Sequence, residues 1–144
     1  MRLDSVRPEL RWAIEAAQDK QAENVTVLKL GGLGAFAEYF LLCSGASDPQ
    51  IQAISDAIAE KLDRHGVPHG HREGKHGAEW VLLDYGGFVV HVFSERARLY
   101  YDLERLWRAA ERLDVLPPGA RATDESQESD SGLAGGRKTG TDRP

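Results

Sequence analysis

Apolar residues along the chain follow a helical period in some stretches and a strand period in others, and the switches divide it into elements. Leu10, Ile14 and Ala17 recur at helical intervals and predict a first helix reaching about Lys20. Val25-Thr26-Val27-Leu28 is apolar and β-branched, which suits a strand. After a glycine-rich turn at Gly31-Gly32-Leu33-Gly34, Tyr39-Phe40-Leu41-Leu42-Cys43 reads as a second strand, buried on both faces. Ser47-Asp48-Pro49-Gln50 has the Ser-x-x-Gln form of a capping box, with proline in the first turn. The helix it opens carries Ile51, Ile54, Ile58 and Leu62 on one stripe and stops at Gly66. A short strand is expected within Pro68–Arg72, and a last helix from Glu95 to about Trp107, extending as far as Leu113.

The strongest local pattern is Trp80-Val81-Leu82-Leu83-Asp84-Tyr85, then Gly86-Gly87, then Phe88-Val89-Val90-His91-Val92-Phe93. Two glycines between these strands predict a two-residue hairpin of type I′, whose central positions both need positive φ. That turn sets the register: Tyr85 opposite Phe88, Leu83 opposite Val90, Val81 opposite Val92. Opposed residues share a face, so this face is wholly apolar and should pack under helices. The other face pairs Trp80 with Phe93, Leu82 with His91, and Asp84 with Val89. Aromatic rings, a histidine and a carboxylate together suit a protein-binding surface, where tryptophan anchors are favoured. A second core face covered by another helix fits the same pattern, and both readings stay open. The order αββαβββα predicts an α/β fold with a mixed β-sheet flanked by helices.

Composition changes near Pro117-Pro118. From Gly119 to Pro144 the only large apolar residue is Leu133, so a folded unit over 1–115 and a disordered tail over 116–144 are expected. The 144 residues carry a net charge of −5, which argues against wrapping nucleic acid and for a basic protein partner. A single cysteine, Cys43, allows no internal disulfide, and no stretch has signal-peptide or membrane-span character. A cytoplasmic protein without membrane contact is expected.

Several patterns resemble chemistry. Gly32-Leu33-Gly34-Ala35-Phe36-Ala37 outlines a dinucleotide fingerprint, but that site needs a helix next and a strand follows here. His65, His69, His71 and His76 crowd one region, but no second element offers a cysteine or carboxylate partner at ligand spacing, so a solvated loop is expected and no metal. Ser44 and Ser47 have no base beside them, and Cys43 sits inside an apolar strand. No catalytic residue and no cofactor emerge.

At Glu79–Trp107 the residues EWVLLDYGGFVVHVFSERARLYYDLERLW resemble the Iojap family, the ribosomal silencing factors. Glu38-Tyr39-Phe40 and Cys43-Ser44-Gly45-Ala46-Ser47-Asp48-Pro49-Gln50-Ile51-Gln52-Ala53-Ile54 are similar to further stretches of that family, and the match spans about Leu10 to Trp107. Lys29, Gly31 and Ala37-Glu38 depart from its pattern. The resemblance implies a nucleotidyltransferase-like topology used for binding. It also implies docking on the large ribosomal subunit through ribosomal protein L fourteen, a block on small-subunit joining, repression of translation when nutrients are scarce, and a homodimer off the ribosome. By the same resemblance Trp80, Leu82, Asp84, His91, Tyr101, Asp102 and Arg105 are binding residues, and the hairpin face adds Phe93 beside Trp80. Two other functions compete: an assembly factor for the large subunit, and a nucleotidyltransferase-like enzyme. The enzyme would need an Asp-x-Asp pair, and Leu82 stands where Asp84's partner would be.

Overall fold

A computed structural model describes residues 1–119. Helix α1 (Pro8–Asp19) leads into strands β1 (Glu23–Lys29) and β2 (Tyr39–Gly45), then α2 (Asp48–Arg64). Strands β3 (His71–Glu73), β4 (Trp80–Asp84) and β5 (Phe88–Ser94) follow. The chain continues through α3 (Glu95–Tyr101), the single turn α4 (Leu103–Leu106) and β6 (Glu111–Asp114). The strands form one sheet in the order β3-β4-β5-β2-β1-β6. Only the central β2–β5 pair is parallel, and the other neighbours are antiparallel, so the sheet is mixed as expected. The tail predicted over 116–144 lies, from residue 120 onward, outside the described residues.

The first face of the sheet holds the main core. Val27, Leu41, Cys43, Val81, Leu83, Phe88, Val90 and Val92 meet Leu10, Ala13, Ile14 and Ala17 of α1, and Ile51, Ile54, Ile58 and Leu62 of α2. The hairpin register is the predicted one, Trp80↔Phe93 through Asp84↔Val89, which sends Val81, Leu83, Val90 and Val92 into this core. Ser47 caps α2 by accepting the Gln50 N–H. The Gln50 side chain turns back to Ala46 N and donates to the Lys20 and Gln21 carbonyls, tying the start of α2 to the end of α1. Gly45 permits the close approach of β2 to α2, since a Cβ there would lie 2.9 Å from Ile51 Cγ1.

Three local expectations are corrected. The hairpin turn is not type I′: Gly86 alone has positive φ (84°), Gly87 N–H donates to the Tyr85 carbonyl, and the Asp84 carboxylate accepts the Gly86 N–H. The short strand sits at His71–Glu73, where it pairs with β4, rather than within Pro68–Arg72. The last helix does not run to Leu113. Asp102 adopts the left-handed conformation (φ 49°) and divides it into α3 and α4, and Glu111–Asp114 becomes the edge strand β6 on β1.

Arg98 holds this C-terminal segment on the second face. The residue is 7% exposed, and all five of its N–H groups are bonded. Nε and Nη2 donate to one oxygen of Glu104 on α4 (3.2 and 2.9 Å), and Nη2 also donates to Thr26 Oγ1 on β1 (3.1 Å). Nη1 donates to the Asn24 carbonyl and to Ser44 Oγ on β2 (3.0 Å). Thr26 passes a bond on to Asp114 of β6 at 2.9 Å, where Arg112 Nε also donates. One guanidinium thus joins α3, α4, β1 and β2 directly and β6 at one remove. Removing it would strand Glu104 and the buried hydroxyls. Arg98→Ala is therefore expected to cost about 3–5 kcal/mol of stability in urea unfolding. Arg98→Lys should recover only part of that, because an ammonium has three donors and no planar fork.

Candidate functional site

The second face is roofed along part of its width. Helix α3 packs over β5 and β2. Ala97 of α3 joins Leu28, Leu30, Leu42 and Phe93 in a second core cluster, and Leu103 and Trp107 pack against it. The β4 side of this face remains partly in solvent: Trp80, Leu82, Asp84 and Val89 are half-buried. The two readings of this face both hold, over different strands. It is core over β2 and β5, and open surface over β4.

Trp80 stands on the boundary. Its ring lies 4.5 Å from Tyr101 and 5.0 Å from Phe93, centroid to centroid. Its Nε1–H donates to Nδ1 of His91 at 3.0 Å. His91 meets the Phe40 ring edge-on at 4.5 Å, and Phe40 meets Trp107 at 6.2 Å. A lane of aromatic rings therefore crosses the face from Tyr101 to Trp107. Asp84 shares this face with Leu82, and its carboxylate accepts the Gly86 N–H at 2.8 Å. On β3 the side chains are engaged elsewhere, Arg72 with Asp56 and His71 with Glu73.

The structure brings together Trp80, Leu82, Asp84 and Tyr101 as accessible groups, with Tyr101 50% exposed. It corrects two other candidates. His91 (3% exposed) and Phe93 (1%) lie beneath α3 and Trp80, so neither has surface to offer a partner, and both act as support. Asp102 and Arg105 are placed at the α3–α4 turn and do not join the Trp80 lane. The Asp102 N–H donates to the Arg98 carbonyl, and Arg105 is exposed on α4. Sequence reasoning missed Leu99 (80% exposed) and Tyr100 (79%), which precede Tyr101 on α3. The signal was present, because three large consecutive residues on a seven-residue helix cannot all face the sheet.

The chemistry-like patterns resolve as structure. The Gly32–Ala37 segment leads into strand β2, so the helix that a dinucleotide fingerprint must open does not follow it. The Ser44 hydroxyl is buried and accepts from Arg98, while that of Ser47 caps α2. Burial pushes the Cys43 thiol up to about 12, so it stays protonated. His65 stacks on Trp12 at 3.9 Å, and His69 packs edge-on against Tyr85. Among the described residues no three His, Cys, Asp or Glu side chains gather as metal ligands.

Burial lowers the His91 imidazole from 6.5 to about 4. Between those values an unfolded chain binds a proton that the folded one refuses, so stability is full above about 6.5 and falls as the pH drops toward 4. The loss attributable to this ring is no more than roughly 3–4 kcal/mol. Urea unfolding from pH 7 to 4.5 should show that slope. His91→Asn, which has no titrating ring, should flatten it.

Comparison with known proteins agrees with this architecture. Residues 4–138 match the family model described as ribosomal silencing factor during starvation. The ribosomal silencing factor RsfS of Bacillus subtilis (strain 168) is 43% identical over 106 residues, covering 74% of this chain and 90% of that protein. A crystal structure of a Chromobacterium violaceum protein superimposes with a TM-score of 0.68 at 30% identity, covering 83% of this chain and 98% of that one. A more distant relative is the mouse protein named mitochondrial assembly of ribosomal large subunit protein 1. It is 26% identical over 98 residues, 65% of this chain and 42% of its own. The chain belongs to the family of ribosomal silencing factors.

Proposed function

We propose that this protein represses translation in the cytoplasm by docking on the large ribosomal subunit. It does so through ribosomal protein L fourteen, and from there it obstructs small-subunit joining. The observation that carries the reading is the half-open second face, where Trp80 stands between Tyr101 and an unroofed strip of Leu82 and Asp84. A large, rigid indole at the edge of an apolar strip is the kind of group that anchors a protein interface. Asp84 on the same strip, in a chain of net charge −5, suits a basic protein surface. The role is binding rather than catalysis. Ser44 is sealed under Arg98, and on β4 the neighbour of Asp84 on its own face is Leu82, not a second carboxylate. Residues 1–115 form the docking unit in this proposal, 116–144 are an appendage, and the apolar strip also supports a homodimer away from the ribosome.

A second reading is favoured by the mouse relative's name, which speaks of large-subunit assembly. Both readings require large-subunit binding, and they part on subunit joining. Protein that co-sediments with the large subunit and lowers the fraction of joined ribosomes acts as a silencer. Co-sedimentation with joining intact indicates assembly.

Trp80→Ala should weaken large-subunit binding about 30- to 1,000-fold, the usual range for a lost tryptophan anchor. Because the indole also packs on Phe93, the variant should lose roughly 1–3 kcal/mol of stability yet remain folded. Asp84→Lys should weaken binding about tenfold or more through charge reversal, with a smaller change in melting temperature. Normal co-sedimentation by both variants would remove this face from the interface.

A further inference from the structure

We infer that His91 is a positioning residue for docking: it holds the Trp80 indole in one pose and so decides what the open face presents to its partner. The inference rests on the docking reading above. An indole has one polar group, its N–H, which usually finds a hydrogen-bond partner when the ring is buried. Here Nε1–H is turned inward and spent on His91 Nδ1 at 3.0 Å. What Trp80 offers outward is therefore apolar only. The complementary surface on the partner is accordingly an aliphatic or aromatic pocket, with no acceptor needed for the indole.

The geometry leaves His91 little freedom to do otherwise. It sits opposite Leu82 across the β4–β5 ladder and diagonal to Trp80, within side-chain reach of both. Its ring is packed edge-on against Phe40 at 4.5 Å and parallel to Phe93 at 5.9 Å. Accepting at Nδ1 requires the neutral tautomer with its proton on Nε2. That nitrogen is buried and has no hydrogen-bond partner among the described residues. A buried orphan donor is a cost, and a residue serving only to fill space would avoid it with a phenylalanine ring of similar size. The cost is accounted for if the Nδ1 acceptor is what the position requires.

The test uses the full chain, ¹⁵N-labelled, with His91→Phe and His91→Asn. Asparagine can place its amide oxygen near the position of Nδ1, whereas phenylalanine keeps bulk and loses the acceptor. The Trp80 indole N–H resonance, assigned among the chain's three tryptophans by Trp80→Phe, reports the pose. In His91→Phe it should move and exchange faster with water, and large-subunit binding should weaken about tenfold. His91→Asn should restore the slow exchange and most of the affinity. An indole resonance unchanged in His91→Phe overturns the positioning role, whatever the interface. So does a shifted resonance with parental binding, provided Trp80→Ala fails to bind. A folded His91→Asn that does not recover either property also overturns it. If Trp80→Ala itself binds normally, the docking reading fails and this role falls with it, while the resonance still reports whether the bond exists.

Discussion

The buried guanidinium of Arg98 is the constraint on which the second face depends. A cation 7% exposed is stable only if its charge and all its donors are met, and Glu104, Thr26, Ser44 and the Asn24 carbonyl meet them. Those partners come from β1, β2 and α4, so their geometry dictates where α3 lies. Asp102 must then turn left-handed to bring Glu104 back onto Arg98, and β6 closes the arrangement through Thr26 and Asp114. The roof over β2 and β5 follows from one side chain's need for partners.

The same placement leaves β4 uncovered and creates the site. Tyr101, the last residue of α3, reaches Trp80 but goes no further, so Leu82 and Asp84 keep contact with water. Beneath them, His91 and Phe93 complete the second core. A hydrophobic face divided in this way is rigid on one side and available on the other. That division suits a protein that works by occupying a surface, because a preorganised anchor loses little entropy on binding.

The hairpin was legible in the sequence because two apolar runs are joined by only two glycines, so register and faces followed together. Helix α2 was equally plain from the Ser47-x-x-Gln cap and its isoleucine stripe. The break at Asp102 was not, since no glycine or proline marks it and its cause is the distant demand of Arg98. Three of the partners of Arg98 lie 54 to 74 positions away along the chain. Strand β6 was hidden for a similar reason. Glu111-Arg112-Leu113-Asp114 has one large apolar residue, and it pairs because β1 offers a free edge. For the second face the sequence left two readings open, a binding surface and a core face under another helix; which strands the helix covers depends on the placement of α3, which the local pattern does not carry.

The central claim is that the uncovered β4 strip, and not the helical face opposite, meets the large ribosomal subunit. A photoreactive residue placed at Leu82 on the strip, or at the exposed Glu60 on α2, tests it directly when irradiated with purified large subunits. Crosslinking from position 82 to a single ribosomal protein, with little from position 60, is the predicted result. Efficient crosslinking from position 60 with none from position 82 would contradict the account.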